Sequence, residues 1–254
     1  MNLGATLCES VPEPSQIDAA SGHLNRIQLP ELQRPAVGHK QEPTLELVNW
    51  ASQMYCFSLL AYFREMLRSF LDLVRDSLVP ASFVVARCLF EMAAHAHYTH
   101  KHGVQYLDAN DLQAAWDFLV EINMGSRYMR EEYGDQPADW PPFAAPREIA
   151  KVIRCFDEWS EGKATTEYSF LSEFAHPNMA AFSHYYIIDP NEVGFAVVRF
   201  IDPPRNNSAV PWPLVSISLV ACLHFALRFL QRVGEKEIAS QIETIFVEFA
   251  KPTE

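Results

Sequence analysis

Residues 81–100 carry only two formal charges, Arg87 and Glu91, in an otherwise apolar or uncharged stretch. A helix that is apolar around most of its circumference is covered by neighbouring elements on most sides. We therefore predict a central helix over about 80–102, with a proline in its first turn and Gly103 just past its end. Such a helix needs other helices around it, which strongly limits the folds open to this chain.

Apolar residues recur at helical spacing along most of the remaining sequence. Thr44 followed by Glu46 is typical of a helix start, and the apolar positions then return every three or four residues. Together with the central helix, these patterns predict an all-α helical bundle of about seven helices. The other six are expected at about 44–78, 108–132, 147–162, 165–176, 213–232 and 236–250.

Two parts of the chain depart from this pattern. Runs of β-branched and aromatic residues flank 189–193 and predict one small β-hairpin insert at about 184–201. Residues 1–42 are rich in proline and show no sustained periodicity, so we expect an extended or disordered N-terminal arm. The rest of the chain, 43–254, is expected to form a single α-helical domain.

The formal net charge of −12 disfavours a broad electrostatic surface for nucleic acid. Phosphate binding depends on clustered Lys and Arg that release counterions. A small local basic patch remains open.

Five cysteines stand far apart and form no C-x-x-C pair, a pattern typical of reduced thiols in a cytoplasmic protein. No basic and apolar leader segment is present near Met1, which also favours the cytoplasm. The uncharged run 210–227 contains proline, serine and histidine, so we interpret it as a core helix and expect no membrane association.

Arg87, Glu91 and His95 follow one another at intervals of four residues, which places them along one face of the predicted central helix. Ser172 and His176 repeat this interval on a later helix. If the two helices pack face to face, all five side chains can converge on one polar cavity. In a catalytic interpretation, Glu91 or a histidine acts as general base, Arg87 stabilises an anionic transition state and the second histidine acts as acid.

The alternative is a buried polar network that fixes the register of the helices without reacting. A metal site is the third possibility, and it would use Glu91, His95 and His176. The run of histidines from His95 to His102 has neither H-E-x-x-H nor finger spacing, so we expect it to complement the dipole at the helix end, with no metal and no cofactor bound. Phosphate-cradling, dinucleotide and serine-hydrolase motifs are missing from the sequence.

Two motifs carry a family resemblance: Arg87-x-x-x-Glu91, and Tyr168-x-x-x-Ser172-x-x-x-His176. In these motifs the chain, over roughly residues 45–250, resembles a bacterial domain-of-unknown-function group with a HEPN-like helical fold. HEPN relatives include metal-independent endoribonucleases, toxins and phage-defence effectors, usually acting as dimers. The resemblance therefore implies a homodimer with an RNA-cleaving or defence role.

The sequence departs from the ribonuclease members at their hallmark, an Arg followed by four to six residues and a His within a helix. The only match, Arg34-Pro-Ala-Val-Gly-His39, contains a proline and a glycine that oppose a helix. Two other functions therefore stay open beside an RNA-cleaving enzyme. One is a non-catalytic dimeric module that binds a protein partner, and the other is a metal-dependent hydrolase.

Overall fold

A computed structural model describes residues 13–35, 42–125, 147–176, 186–190, 196–200 and 210–249. Eight helices account for most of these residues, which confirms the predicted all-α class. The helices are α1 (Pro14–Leu24), α2 (Leu45–Arg75), α3 (Val79–Asp108), α4 (Leu112–Met124), α5 (Ile149–Asp157), α6 (Ala164–Ala175), α7 (Trp212–Arg232) and α8 (Lys236–Phe249).

Helix α2 begins where the sequence predicts. The Thr44 side chain accepts a hydrogen bond from the Leu47 N–H at 3.2 Å, which satisfies one of the free donors of the first turn. The helix ends at Arg75, and Ser77 takes a positive φ of 61° in the tight turn into α3. Its buried face is continuous over its whole length and includes Val48, Ala51, Phe63, Leu67 and Phe70.

Helix α3 is the central element, and it packs most extensively against α7. The two helices run parallel, because His97 contacts Phe225 while Gly103, further along α3, contacts Phe229, further along α7. Their C-terminal ends are joined by an ion pair. Arg232 Nη2 lies 2.9 Å from an Asp108 carboxylate oxygen.

The predicted end of α3 is wrong. The helix continues to Asp108, so Gly103 is a buried interior residue and not a cap. The reason is steric. A Cβ atom at Gly103 would stand 2.8 Å from Cζ of Phe229, so only a residue without a side chain leaves room for the Phe229 ring. Close packing therefore outweighs the weak helix propensity of glycine here.

The N-terminal arm is also predicted wrongly over Pro14–Leu24, which form helix α1. The Glu13 N–H donates to Oε1 of Gln16 at 2.8 Å, and Pro14 occupies the first turn, where its missing N–H has no cost. Ile17 and Leu24 lie two turns apart on the same face of the helix and are fully buried. Helix α1 packs against α2 and α8, so burial of this apolar face orders a segment that composition alone marks as irregular.

Helices α4, α5 and α6 cover the remaining sides of the core. The Asp111 side chain caps α4 by accepting from the Ala114 N–H at 3.0 Å, and Nδ2 of Asn123 donates to the Ala51 carbonyl at 3.2 Å, which ties α4 to α2. Helix α5 contributes Phe156, whose ring packs edge-on against Phe90 of α3.

Two short strands, β1 (Tyr186–Pro190) and β2 (Ala196–Phe200), pair antiparallel, with Tyr186 opposite Phe200. They lie in the region where the sequence predicts the hairpin insert. Residues 1–12, 36–41, 126–146, 177–185, 191–195, 201–209 and 250–254 lie outside the described residues. They include parts of the predicted arm, of the helix predicted to end at 132, and of the predicted hairpin insert, whose connection between the two strands is among them.

Among the helices that the structure describes, two, α3 and α7, are long and apolar enough to cross a membrane by length and composition. Most of the apolar window of each is buried inside the bundle.

The contact of Gly103 with Phe229 predicts a steric effect on stability. Gly103→Ala is expected to lower the free energy of unfolding by about 1–3 kcal/mol, because the fully buried ring cannot move aside. Gly22→Ala in α1 is the matched control. A Cβ at Gly22 meets nothing within 4 Å, so that variant should gain about 0.5–1 kcal/mol from helix propensity. Urea unfolding of both variants tests this pair, and equal effects would contradict the packing role of Gly103.

Candidate functional site

Three polar side chains meet where α6 crosses α3. Arg87 Nε donates to Oε1 of Glu91 at 3.0 Å, and Arg87 Nη2 donates to the hydroxyl of Tyr168 at 2.7 Å. The Tyr168 hydroxyl in turn donates to Oε1 of Glu91 at 3.0 Å. The guanidinium also lies over the Tyr168 ring, 5.1 Å from its centre. We call this set the Arg87–Glu91–Tyr168 cluster.

The cluster lies at the edge of the core. The Arg87 and Glu91 side chains are 26% and 29% exposed, so a ligand in solvent can reach them. Helical spacing explains the Arg87–Glu91 pair, since residues four apart share a face. Tyr168 reaches the cluster from the other helix and joins α6 to α3.

Each charge state in the cluster has a physical cause. Burial acts to lower the pKa of Arg87, but the hydrogen bond to Tyr168 and the charge of Glu91 outweigh it, and the pKa is raised. Burial and the Glu91 carboxylate raise the pKa of Tyr168. At neutral pH the cluster therefore contains a guanidinium cation and a neutral phenol.

His95 lies one turn beyond Glu91 on the same face of α3. Burial lowers the pKa of His95, while the nearby Glu91 carboxylate opposes this effect without reversing it. The imidazole is therefore mainly neutral at pH 7 and can accept a proton.

The predicted convergence is found for Arg87 and Glu91 but not for His176. Tyr168 contacts Arg87, whereas Phe174, further along α6, stacks on Phe83, which precedes Arg87 in α3. Helix α6 thus runs antiparallel to α3. His176 caps the far end of α6 and is exposed, beyond the level of Phe83. His95 lies about 18 Å from Phe83 along α3 in the other direction.

Ser172 is also placed differently from the prediction. Its hydroxyl donates to the backbone carbonyl of Tyr168 at 2.8 Å, within its own helix. This local bond is a common use of serine in helices. Ser172 therefore contributes to the surface of α6 beside the Arg87–Glu91–Tyr168 cluster, and its hydroxyl is directed to the helix backbone.

Tyr168 is the site residue that sequence reasoning missed. It belongs to the Tyr-x-x-x-Ser-x-x-x-His motif. A tyrosine in an amphipathic helix, however, usually packs against the core, so the motif alone does not assign it to a polar cluster. Its role follows from the direction of α6, which places the start of the helix beside Arg87. Periodicity does not give the relative direction of two helices.

The histidines further along α3 lie in the interior of the helix, so the predicted role at a helix end is wrong. His97 is buried, with its ring 4.7 Å from that of Phe225 and its Nδ1 3.8 Å from Sγ of Cys155. His100 packs against Phe225 as well, at 5.5 Å. Burial lowers the pKa of each to about 4, and nearby cations act in the same direction.

Within the described residues, no group of three or more His, Cys, Asp or Glu side chains is arranged to hold a metal ion. The predicted set of Glu91, His95 and His176 is not such a group, because His176 lies at the other end of the α3–α6 contact.

No protein-family model, no curated protein and no solved structure matches this chain. The arrangement of its own side chains is therefore the basis for assigning a function.

The Arg87–Glu91–Tyr168 cluster predicts a stabilising role for one hydroxyl group. Tyr168→Phe removes the acceptor for Arg87 and the donor to Glu91, and should lower the free energy of unfolding by about 1–2 kcal/mol. Ser172→Ala is the matched control on the same helix, with an expected change within about 0.5 kcal/mol. Chemical denaturation followed by circular dichroism measures both. Equal stability of Tyr168→Phe and the wild type would argue against the cluster as a link between α3 and α6.

The buried histidines predict a dependence of stability on pH. Because their folded pKa of about 4 is below the ordinary value of 6.5, the unfolded chain binds more protons between these pH values. Stability should therefore fall as pH drops from about 6.5 towards 4, by up to about 1.4 kcal/mol per pH unit for each histidine. Urea unfolding at pH 6.5 and 5.0 measures the slope, and the variant carrying both His97→Gln and His100→Gln should show a smaller one. An unchanged slope would mean that other groups control the effect.

Proposed function

We propose that this chain is a HEPN-like cytoplasmic protein that cleaves RNA without a metal ion, and that the α3 face bearing Arg87, Glu91 and His95 is its active site. The observation that carries the proposal is the pairing of two charge states on one partly exposed helix face. Arg87 is held as a cation, and His95, two turns away, is held mainly neutral. These are the states that an anion-stabilising group and a general base need.

Arg87 and His95 share one face of α3 and are about 12 Å apart along the helix axis. Glu91, which accepts a hydrogen bond from Arg87 Nε, stands between them on that face. A single-stranded RNA lying along this face would meet the guanidinium with a phosphate and the imidazole with a ribose 2′-hydroxyl.

The reaction would be an internal transfer of the phosphoryl group. The neutral imidazole of His95 takes the proton of a ribose 2′-hydroxyl, and O2′ then attacks the adjacent phosphorus. Arg87 stabilises the charge that develops on the phosphoryl oxygens. The bond to the 5′-oxygen breaks, that oxygen takes a proton from water, and the products are a 2′,3′-cyclic phosphate and a 5′-hydroxyl end. Glu91 and Tyr168 act as positioning residues for Arg87.

A second candidate function is a non-catalytic dimeric module. The observation that favours it is the mutual pairing within the Arg87–Glu91–Tyr168 cluster. Glu91 neutralises Arg87, so the cluster has no net charge with which to attract a phosphate. Val84 of α3 and Phe170 of α6 are 43% and 44% exposed, and they offer apolar surface to a second copy or to a protein partner.

A cytoplasmic location is part of the proposal. Cys56, Cys88, Cys155 and Cys222, the four cysteines within the described residues, are all free thiols. Free thiols are usual in a reducing compartment.

Cleavage of an end-labelled single-stranded RNA in the presence of EDTA tests the proposal. His95→Gln should reduce the rate by about 10²- to 10⁴-fold through loss of the base, and Arg87→Gln by about 10²- to 10³-fold. Lys151→Gln, an exposed substitution on α5, is the control for preparation and charge. Thermal unfolding of each variant separates lost chemistry from lost structure.

The product ends give a further readout that folding defects do not alter. The proposed reaction leaves 2′,3′-cyclic phosphate ends, which resist labelling at the 3′ side until the cyclic phosphate is opened and the remaining phosphate is removed. If the folded wild type shows no cleavage, or if folded His95→Gln cleaves at the wild-type rate, the proposed active site is wrong. In the first case, loss of dimer mass in Val84→Glu, measured by light scattering, would support the interaction module.

A further inference from the structure

A cleft of about 660 Å³ lies between the C-terminal end of α1 and one face of α2. Its polar lining residues are Asn25, Ser58, Tyr62, Arg64, Glu65 and Arg68. Sites for small molecules commonly have volumes of about 300–1,000 Å³. None of the lining residues belongs to the Arg87–Glu91–Tyr168 cluster, so the cleft is a separate feature of the molecule.

The charge of the cleft is opposite in sign to that of the whole chain. Two arginines face one glutamate, which gives the lining a net charge of +1 in a protein with a net charge of −12. The Arg68 side chain is 74% exposed, and its Nε lies 3.9 Å from the nearest oxygen of Asp72, too far for a hydrogen bond. Arg68 can therefore turn to a ligand at little cost.

The end of α1 is compatible with an anion because arginines offset its dipole. The free carbonyls at a helix C-terminus carry partial negative charge, which repels anions. Arg64 Nη1 donates to the Ile27 carbonyl at 3.1 Å, and Arg26 Nε donates to the Gly22 carbonyl at 3.1 Å. These two guanidinium groups place positive charge at the position where the backbone would otherwise repel a phosphate.

Tyr62 adds an aromatic surface to the same cleft. It is 50% exposed, whereas most aromatic side chains whose burial the structure describes are buried. Ser58 precedes it by one turn on the same helix face, and Asn25 faces it from α1. An exposed ring beside guanidinium groups is the combination that binds a nucleobase together with its phosphate.

We propose that this cleft binds a nucleotide unit. Its phosphate lies between Arg64 and Arg68, its base stacks on Tyr62, and the Asn25 amide and Ser58 hydroxyl offer hydrogen bonds to the sugar or the base edge. The unit is either a free nucleoside monophosphate or one residue of a single-stranded RNA. The site does not depend on the proposed ribonuclease activity.

Isothermal titration of the full chain at low salt tests the cleft with three probes. These are adenosine 5′-monophosphate, inorganic phosphate and a short oligoadenylate with 2′-O-methyl riboses, which cannot be cleaved through the 2′-hydroxyl. Arg68→Gln and Tyr62→Ala should each weaken binding of the nucleotide or of the oligoadenylate by about tenfold. Arg75→Gln is the matched control, because Arg75 is exposed two turns further along α2 and outside the cleft lining.

The probes also identify the source of the ligand. Binding of adenosine 5′-monophosphate as tight as that of the oligoadenylate supports a free nucleotide, and much tighter binding of the oligoadenylate supports an RNA chain. The proposal is overturned if neither adenosine 5′-monophosphate nor the oligoadenylate binds at about millimolar concentration. It is also overturned if Arg75→Gln weakens binding as much as Arg68→Gln, or if inorganic phosphate binds as tightly as the nucleotide. Binding of adenosine 5′-monophosphate and cleavage of RNA are measured separately, so loss of one without the other distinguishes failure of the cleft from failure of the ribonuclease site.

Discussion

The requirement to cover α3 on nearly every side determines the arrangement of the other helices. Helix α7 runs parallel to it and approaches closely where Gly103 makes room for Phe229. Helices α2, α4, α5 and α6 pack around the rest of its circumference. Because the apolar surface of α3 can be removed from water only by several neighbours at once, the bundle is a cooperative unit and not a row of independent helices.

The Arg87–Glu91–Tyr168 cluster occupies the side of α3 where this coverage is incomplete. A guanidinium and a carboxylate in a fully buried position would lose their hydration, and the penalty would exceed their attraction. At about one quarter exposure they keep part of it, while Tyr168 supplies a donor and an acceptor from α6. The same partial exposure that makes the ion pair tolerable also makes it reachable by a ligand, so structural and catalytic roles are compatible in this position.

The sequence predicts those features that depend on local chemistry. The Thr44 cap and the spacing of Arg87 and Glu91 both follow from short-range rules. It does not predict features that depend on which surfaces meet. In the sequence, Gly103 has the features of a residue that ends a helix. Only its contact with Phe229 shows that a glycine is needed inside α3. The separation of His95 from His176 likewise follows from the antiparallel direction of α6, which periodicity does not encode. Helix α1 is an intermediate case, because the apolar spacing of Ile17 and Leu24 was present but the surrounding prolines obscured it.

Helix α1 packs against both α2 and α8, which lie far apart in the sequence. Its apolar face, with Ile17 and Leu24, is therefore covered partly by the helix that follows it and partly by one from a distant part of the chain. The entropy lost in closing a loop grows with the length of that loop. The contact between α1 and α8 closes by far the longer of these two loops, so the packing of α1 is completed only when the whole bundle between the two helices has come together.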